Sequence, residues 1–324
     1  MGGGKARRLL NLIFPGNQFQ YNRSFLFKIL TERLIKKAVN RFEKADLCIF
    51  TNFDFYNKFN KNIPTLLFCD WTYKILILDH LGRSPYPFER KFPLWQEEAI
   101  KHAALVISLF PTCAAQMKLD YPTANIHHLG RNVINSIYEG PHDIESFIAE
   151  KLQSNRIVFV GKNSYLKGLR LLIEAMTLLR SRYDLSLDVI GMTKEEVGND
   201  LPWIRCHGYL RKDDEKERNI YYKTIIGAKL FVNPSEVWGG YSSTIEAMYF
   251  ATPVVVSPYK DFVEEFGNQI DFGQYNRVFD AESLAETMLS VMENPQYPSI
   301  CRCAYDRVKD YSWDVYVDKI LELL

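Results

Sequence analysis

The chain has 324 residues, 47% hydrophobic and 24% charged. That is enough for two domains of roughly 150 residues and too apolar for a disordered or collagen-like protein. Net charge is only +1, from 40 Lys and Arg against 39 Asp and Glu, which excludes a general polycation. No apolar run approaches the ~18 residues of a membrane span, and no apolar leader segment follows the basic start Met1–Lys5. The six cysteines (Cys48, Cys69, Cys113, Cys206, Cys301, Cys303) are scattered through apolar stretches, which reads as a reduced, cytosolic protein.

The charge is unevenly spread. Through Lys44 there are ten cations and two acids, so this segment carries +8 and the remainder −7. Within it Leu26, Leu30, Leu34, Ala38 and Phe42 recur every four residues, the period of a helix with one apolar row. Two readings stand side by side. In one, the row packs on its own domain and the lysines face water. In the other, residues 5–44 form a basic face that lies against anionic lipid or gathers a polyanionic substrate. No recognition helix, zinc site or aromatic-basic RNA motif accompanies the patch, so nucleic acid is not expected as a partner.

Beyond this segment, short apolar strands alternate with helices, which predicts parallel sheets covered on both faces. The first-half strands are expected at Leu47–Thr51, Thr65–Cys69, Leu105–Leu109 and Ile126–Leu129. A polar stretch at Tyr138–His142 reads as a hinge. Second-half strands are expected at Ile157–Val160, Leu185–Ile190, Ile204–His207, Leu230–Val232 and Val254–Ser257. Helices are expected at Leu169–Arg180, Asp213–Gly227 and Thr244–Phe250, another after the N-cap Asp280, and a terminal one over Tyr305–Leu324. The expected architecture is α/β: two Rossmann-like, doubly wound parallel-sheet domains over residues 1–145 and 146–304. The C-terminal helix, 305–324, is expected to pack back on the first. Ligands are expected at the carboxyl ends of the strands, in the cleft between the domains.

Two segments carry chemistry. The strand ending at Val160 runs into Gly161-Lys-Asn-Ser-Tyr-Leu-Lys-Gly168 and then a helix, so Lys162 and Lys167 sit in one loop and can reach one anion. Later, Asn233-Pro-Ser-Glu-Val-Trp-Gly-Gly-Tyr-Ser-Ser-Thr-Ile-Glu-Ala-Met248 joins a strand to a helix through small residues. The amides of Ser242, Ser243 and Thr244 at that helix start, with the dipole behind them, form a phosphate site. Glu246, one turn inside, is placed to accept hydrogen bonds from vicinal hydroxyls. Solvated lysines and an acid favourably placed in a first turn are the plain alternatives.

These segments resemble the retaining glycosyltransferases of family four, which have the GT-B architecture. The resemblance rests on Gly161, Lys162, Lys167 and Gly168, then Pro234-Ser235, Glu246-Ala-Met248 and Thr252-Pro-Val-Val255. It is clear over about residues 155 to 265 and rests on strand order in the first half. It implies transfer of a sugar from a nucleoside-diphosphate sugar to a hydroxyl acceptor on a glycan, polysaccharide precursor or lipid-linked sugar. It also implies that Lys162 and Lys167 bind the diphosphate and that Glu246 holds the ribose. Gly239, Gly240 and the amides of Tyr241 to Ser243 would complete the phosphate cradle, and the base would lie near Gly208, Tyr209 and Leu210. Neutralising the leaving diphosphate is the main catalytic demand. Two lysines and a helix start meet it without a cofactor or metal, and the chain has no Asp-x-Asp triplet.

The sequence departs from the family pattern in three places. Trp238 stands where the family has the first of two paired glutamates, so Glu236 is the candidate for the sugar contact. Asp70, at the end of the Thr65–Cys69 strand, stands where the first domain often has a histidine. The family's opening strand and glycine-rich turn are shortened or missing, which reads either as a trimmed first domain with Pro15–Phe19 lining the cleft or as a fragment of a longer chain. Two other readings are a non-catalytic nucleotide-sugar-binding or partner subunit with a decayed site, and a GT-B-like sugar-nucleotide epimerase. The basic face further implies a lipid-linked or polysaccharide acceptor, with the protein peripheral on the inner face of a membrane.

Overall fold

A computed structural model of the protein describes residues 21–80, 82–130, 134, 137–198, 200–236 and 240–324. The expectations placed on Met1–Lys5, Pro15–Phe19, Trp238 and Gly239 lie outside the described residues. The chain divides into two compact units, Met1–Gly130 together with Lys319–Leu324, and Arg131–Asp318.

Unit 1 is built on four parallel strands in the order β1 (Cys48–Phe50), β2 (Thr65–Cys69), β3 (Leu105–Ser108) and β4 (Ile126–His127). The central strand β3 is buried along its whole length, as an unbroken apolar run between helix layers must be. The helix Phe25–Arg41 begins at Ser24, whose hydroxyl accepts from the Phe27 amide at 3.3 Å. Its inward row is Phe27, Thr31, Ile35 and Val39, with Val39 buried and Phe27 tilted against Phe55 at 6.2 Å. The row picked out by the sequence faces outward: Leu26, Leu30, Leu34 and Phe42 are 57%, 40%, 68% and 60% exposed. This overturns the reading in which that row packs on its own domain. Two neighbouring four-residue rows both carry apolar residues, and packing against the rest of the unit, Phe55 included, selected the other one.

Unit 1 also buries an acid. Glu89 is fully enclosed, with Arg23 at 2.9 Å from Oε1 and Arg83 at 2.9 Å from Oε2. The Tyr86 amide donates to it at 3.0 Å.

Unit 2 carries six parallel strands: β5 (Arg156–Val160), β6 (Ser186–Ile190), β7 (Ile204–Gly208), β8 (Leu230–Asn233), β9 (Val254–Val256) and β10 (Gly273–Tyr275). Their order is β10-β9-β8-β5-β6-β7, so the chain winds outward from β5 and then returns to β5's other side at β8. The boundary between β5 and β8 is therefore the switch point of the sheet, where ligands bind beyond the strand ends. The core beneath it includes Ile157, Phe159, Leu169, Leu172, Met176, Leu284 and Met288, all but Phe159 aliphatic and none accessible. Asp280 caps the Ala281–Met292 helix through the Ser283 amide at 2.7 Å, and Asp214 caps Glu215–Ile226 through the Glu217 amide at 3.0 Å.

Two features differ from expectation. β10 is an additional edge strand, three residues long with a polar centre at Gln274, paired with β9. It is too short and too polar to show a strand pattern. The terminal segment is two helices, Tyr297–Val308 and Trp313–Leu323, rather than one over 305–324. The Tyr311 amide bonds back to the Val308 carbonyl at 2.8 Å and closes a turn between them. Among the described residues no helix is long and apolar enough to cross a membrane.

Candidate active site

The candidate site is assembled at the carboxyl ends of the strands of unit 2. Three glycines bring the strand ends together. The Gly161 amide after β5 donates to the Ile190 carbonyl at 2.9 Å, the Gly191 amide after β6 donates to the Gly208 carbonyl at 2.7 Å, and the Gly208 amide donates to Met192 at 3.0 Å. Gly191 (φ +102°) has the left-handed backbone that favours glycine, and a Cβ there would lie 2.5 Å from the Gly161 carbonyl oxygen. Tyr209, directly after Gly208, is 72% exposed and Leu210 half-buried.

The loops after β5 and β8 meet across the switch point. Gly168, in the first turn of the helix Leu166–Leu179, sits against Ser235: a Cβ on Gly168 would lie 3.1 Å from both the Cα and the amide nitrogen of Ser235. The Lys167 ammonium forms an ion pair with Glu236 and lies 4.5 Å from the centre of the Phe279 ring. Both partners of that pair are more than half exposed, so it adds little to stability. Its value is positional, since it holds Lys167 over the Pro234–Glu236 loop. Lys162, at the same strand end, is exposed and forms no ion pair among the described residues.

The packing of Gly168 carries a prediction. Gly168→Ala should shift the Ser235 backbone and cost about 1–3 kcal/mol, the usual penalty of overpacking a filled site. A thermal melt of the variant checks this, and an unchanged Tm would show that the two loops are not held against each other.

The helix Ser242–Tyr249 starts at Tyr241, which is fully buried and edge-on to Phe262 at 5.3 Å. The first amide bonded within the helix is that of Ile245, to the Tyr241 carbonyl at 3.0 Å. The amides of Ser242, Ser243 and Thr244 are thus first-turn donors, beyond the reach of the helix's own carbonyls. Two buried hydroxyls, that of Thr244 in this turn and that of Ser235 in the loop after β8, have no hydrogen-bond partner among the described residues. Gly240 is half-buried just before it.

Glu246 is buried at 3% exposure, and its carboxylate is already engaged. The Lys212 ammonium lies 2.5 Å from Oε1 and 2.6 Å from Oε2, and the Tyr221 hydroxyl donates to Oε2 at 2.6 Å. Lys212 also lies 4.5 Å from the centre of the Tyr221 ring. Burial pushes the Glu246 carboxyl above its usual range, opposed chiefly by the Lys212 ammonium. Burial and the same carboxylate hold the Tyr221 phenol well above its ordinary value.

Lys212 was not among the residues the sequence singled out. It stands in the charged run Arg211-Lys-Asp-Asp-Glu-Lys216, where nothing in the local pattern separates it from its neighbours. Asp70 directly follows β2 in unit 1. Its carbonyl accepts from the Ser108 hydroxyl at 2.9 Å, and the next residue, Trp71, stacks on Phe110 at 4.5 Å.

Residues 143–304, half of the chain, match the family described as glycosyl transferases group 1. No curated protein matches the sequence. Solved structures do match. TarM, from S. aureus, aligns with a TM-score of 0.58 and 18% identity over 88% of this chain. The chain spans 57% of TarM's length. A glycosyltransferase from Rickettsia africae aligns with a TM-score of 0.62 and 18% identity, over 95% of this chain and 83% of its own. Anabaena HepE, solved with UDP and glucose, aligns with a TM-score of 0.58 and 15% identity, over 90% of this chain and 80% of its own. The fold, two parallel-sheet α/β units, is of the GT-B type. With the family match lying across the loops just described, the chain belongs to the glycosyl transferases group 1 family, a family of retaining glycosyltransferases.

Proposed function

We propose that the protein transfers a sugar, with retention, from a nucleoside-diphosphate sugar to a hydroxyl acceptor. The observation that carries this reading is the contact of Gly168 with Ser235, which joins the lysine loop and the helix-start loop into one anion-binding edge. The diphosphate lies between Lys167, Lys162 and the amides of Ser242 and Ser243, where the charge that grows as the sugar–phosphate bond breaks is neutralised by preorganised donors. The hydroxyls of Ser235 and Thr244 gain in this arrangement the partners they otherwise lack. HepE, which was solved with UDP and glucose, supports a uridine donor as the first to test.

The engagement of Glu246 refines the expected ribose contact. An ammonium has three N–H donors and Lys212 directs them at two carboxylate oxygens. Lys212 thus occupies the carboxylate and offers its third N–H to a ribose hydroxyl or a phosphate oxygen, and Glu246 acts as the residue that positions it. Glu236 is engaged with Lys167 and joins the sugar-binding side when the diphosphate takes over that lysine. Asp70 is the proposed acceptor-side residue. A glycan, polysaccharide precursor or lipid-linked sugar is the proposed class of acceptor.

The test begins with thermal shift in UDP, GDP, ADP and TDP, followed by slow hydrolysis of the matching nucleotide sugars. One nucleotide should raise Tm at saturating concentration. Lys167→Ala should leave the unliganded Tm unchanged, because its ion pair is exposed, and reduce turnover by about 10²-fold or more. No stabilisation by any nucleotide, or full turnover in the variant, would sink the reading.

A further inference from the structure

We propose that the outer face of the Phe25–Arg41 helix docks on an anionic lipid bilayer. The face is made of two adjacent rows. Leu26, Leu30 and Leu34 form one, exposed along its length, and Ala38 and Phe42 carry it into an apolar groove of about 390 Å³ lined also by Ile35, Val39 and Ile49. Arg33, Lys37 and Arg41 form the neighbouring row, three residues after Leu30, Leu34 and Ala38 in turn, with Lys36 beside it. All four cations are exposed, and none has a carboxylate within ion-pair distance among the described residues. The helix's single acid, Glu32, is turned away from this face and paired with Lys58 at 2.8 Å.

This combination selects the occupant. Leucines at 40–68% exposure along the outer face of a helix are unfavourable in water, which argues for an apolar medium. Four cations with no acid among them are unfavourable inside a protein core, which argues for a charged boundary. An anionic bilayer offers both: acyl chains for the leucines, and headgroup phosphates for Arg and Lys side chains reaching up from the helix sides. Each cation near such a surface strengthens partitioning by roughly fivefold. The groove at the helix end gives an acyl chain a place beside Phe42 and Ile49. The inference does not depend on the sugar-transfer reading, because the face lies wholly in unit 1 and includes none of the residues assigned to the donor.

The experiment is cosedimentation of the 324-residue chain with two vesicle populations, phosphatidylcholine alone and phosphatidylcholine with about 30 mol% phosphatidylglycerol. Binding should be at least about tenfold tighter to the anionic vesicles and weaken as NaCl is raised. Arg33→Glu with Lys37→Glu, and separately Leu26→Asp with Leu30→Asp, should each reduce it at least about tenfold with Tm unchanged. Equal or absent binding to both vesicles overturns the proposal. So does a large fall in Tm for the leucine variants, which would mean that the row packs on this chain. Loss of a dimer in those variants with vesicle binding intact would assign the face to a second copy, and would overturn it equally.

Discussion

Replacing Lys212 by Met should lower the stability of unit 2 by about 3 kcal/mol, while Glu246→Gln costs less than half as much. The asymmetry follows from burial. Glu246 is 3% exposed, so removing its ammonium strands a carboxylate in the core with hydroxyl partners alone. Lys212 retains 27% side-chain exposure and can turn toward water when its partner is neutralised. At about 2–4 °C per kcal/mol for a unit of this size, the first change should appear as a Tm loss of about 6–12 °C.

The pH dependence has a definite sign. A carboxyl whose folded value is raised above its unfolded one contributes stability below the unfolded value, and that stability is lost as pH rises through the folded one. Burial already raises Glu246, and Lys212 is the largest influence holding it down. The Lys212→Met protein should therefore recover relative to wild type between pH 8 and pH 5. Both variants should bind nucleoside diphosphate more weakly. Melts at the two pH values check the first claim, and a pH-independent gap would show that the carboxylate is not stranded. Tighter nucleotide binding in Lys212→Met would mean that Lys212 competes with the ribose instead of contacting it.

Glu89→Gln should destabilise unit 1 by about 3 kcal/mol near pH 7, because Arg23 and Arg83 then lose the carboxylate that neutralises them in a buried setting. Burial alone would raise the Glu89 carboxyl, but hydrogen bonds from Arg83, the Tyr86 amide and Arg23 outweigh it and bring it down to about 2. A depressed folded value contributes stability that is present above the unfolded value of 4.5 and lost as pH falls toward 2. The gap between wild type and Glu89→Gln in urea unfolding should thus be full at pH 6 and shrink steadily below pH 4.5. A gap as large at pH 2.5 as at pH 6 would mean that shape, and not charge, is what Glu89 supplies.

Much of unit 2 was readable because its signals are local. The strand β5, the glycines at Gly161 and Gly168, and the Pro234-Ser235 loop are contiguous patterns in which each residue's neighbours determine its conformation. Asp280 and Asp214 are legible for the same reason, since a cap acts three residues away. β10 was not, because its pairing is supplied by β9 and its own three residues have no strand pattern.

The sequence by itself determined the alternation of strands and helices, the two loops that bear the candidate donor groups, and the presence of a basic helix with apolar rows. Tertiary structure alone decided which row of that helix turns inward, because two rows have similar hydrophobicity and only the surface each one meets discriminates between them. It alone joined Lys212 to Glu246, 34 residues apart. An ion pair depends on where two backbones arrive in space, and sequence periodicity carries no record of that distance.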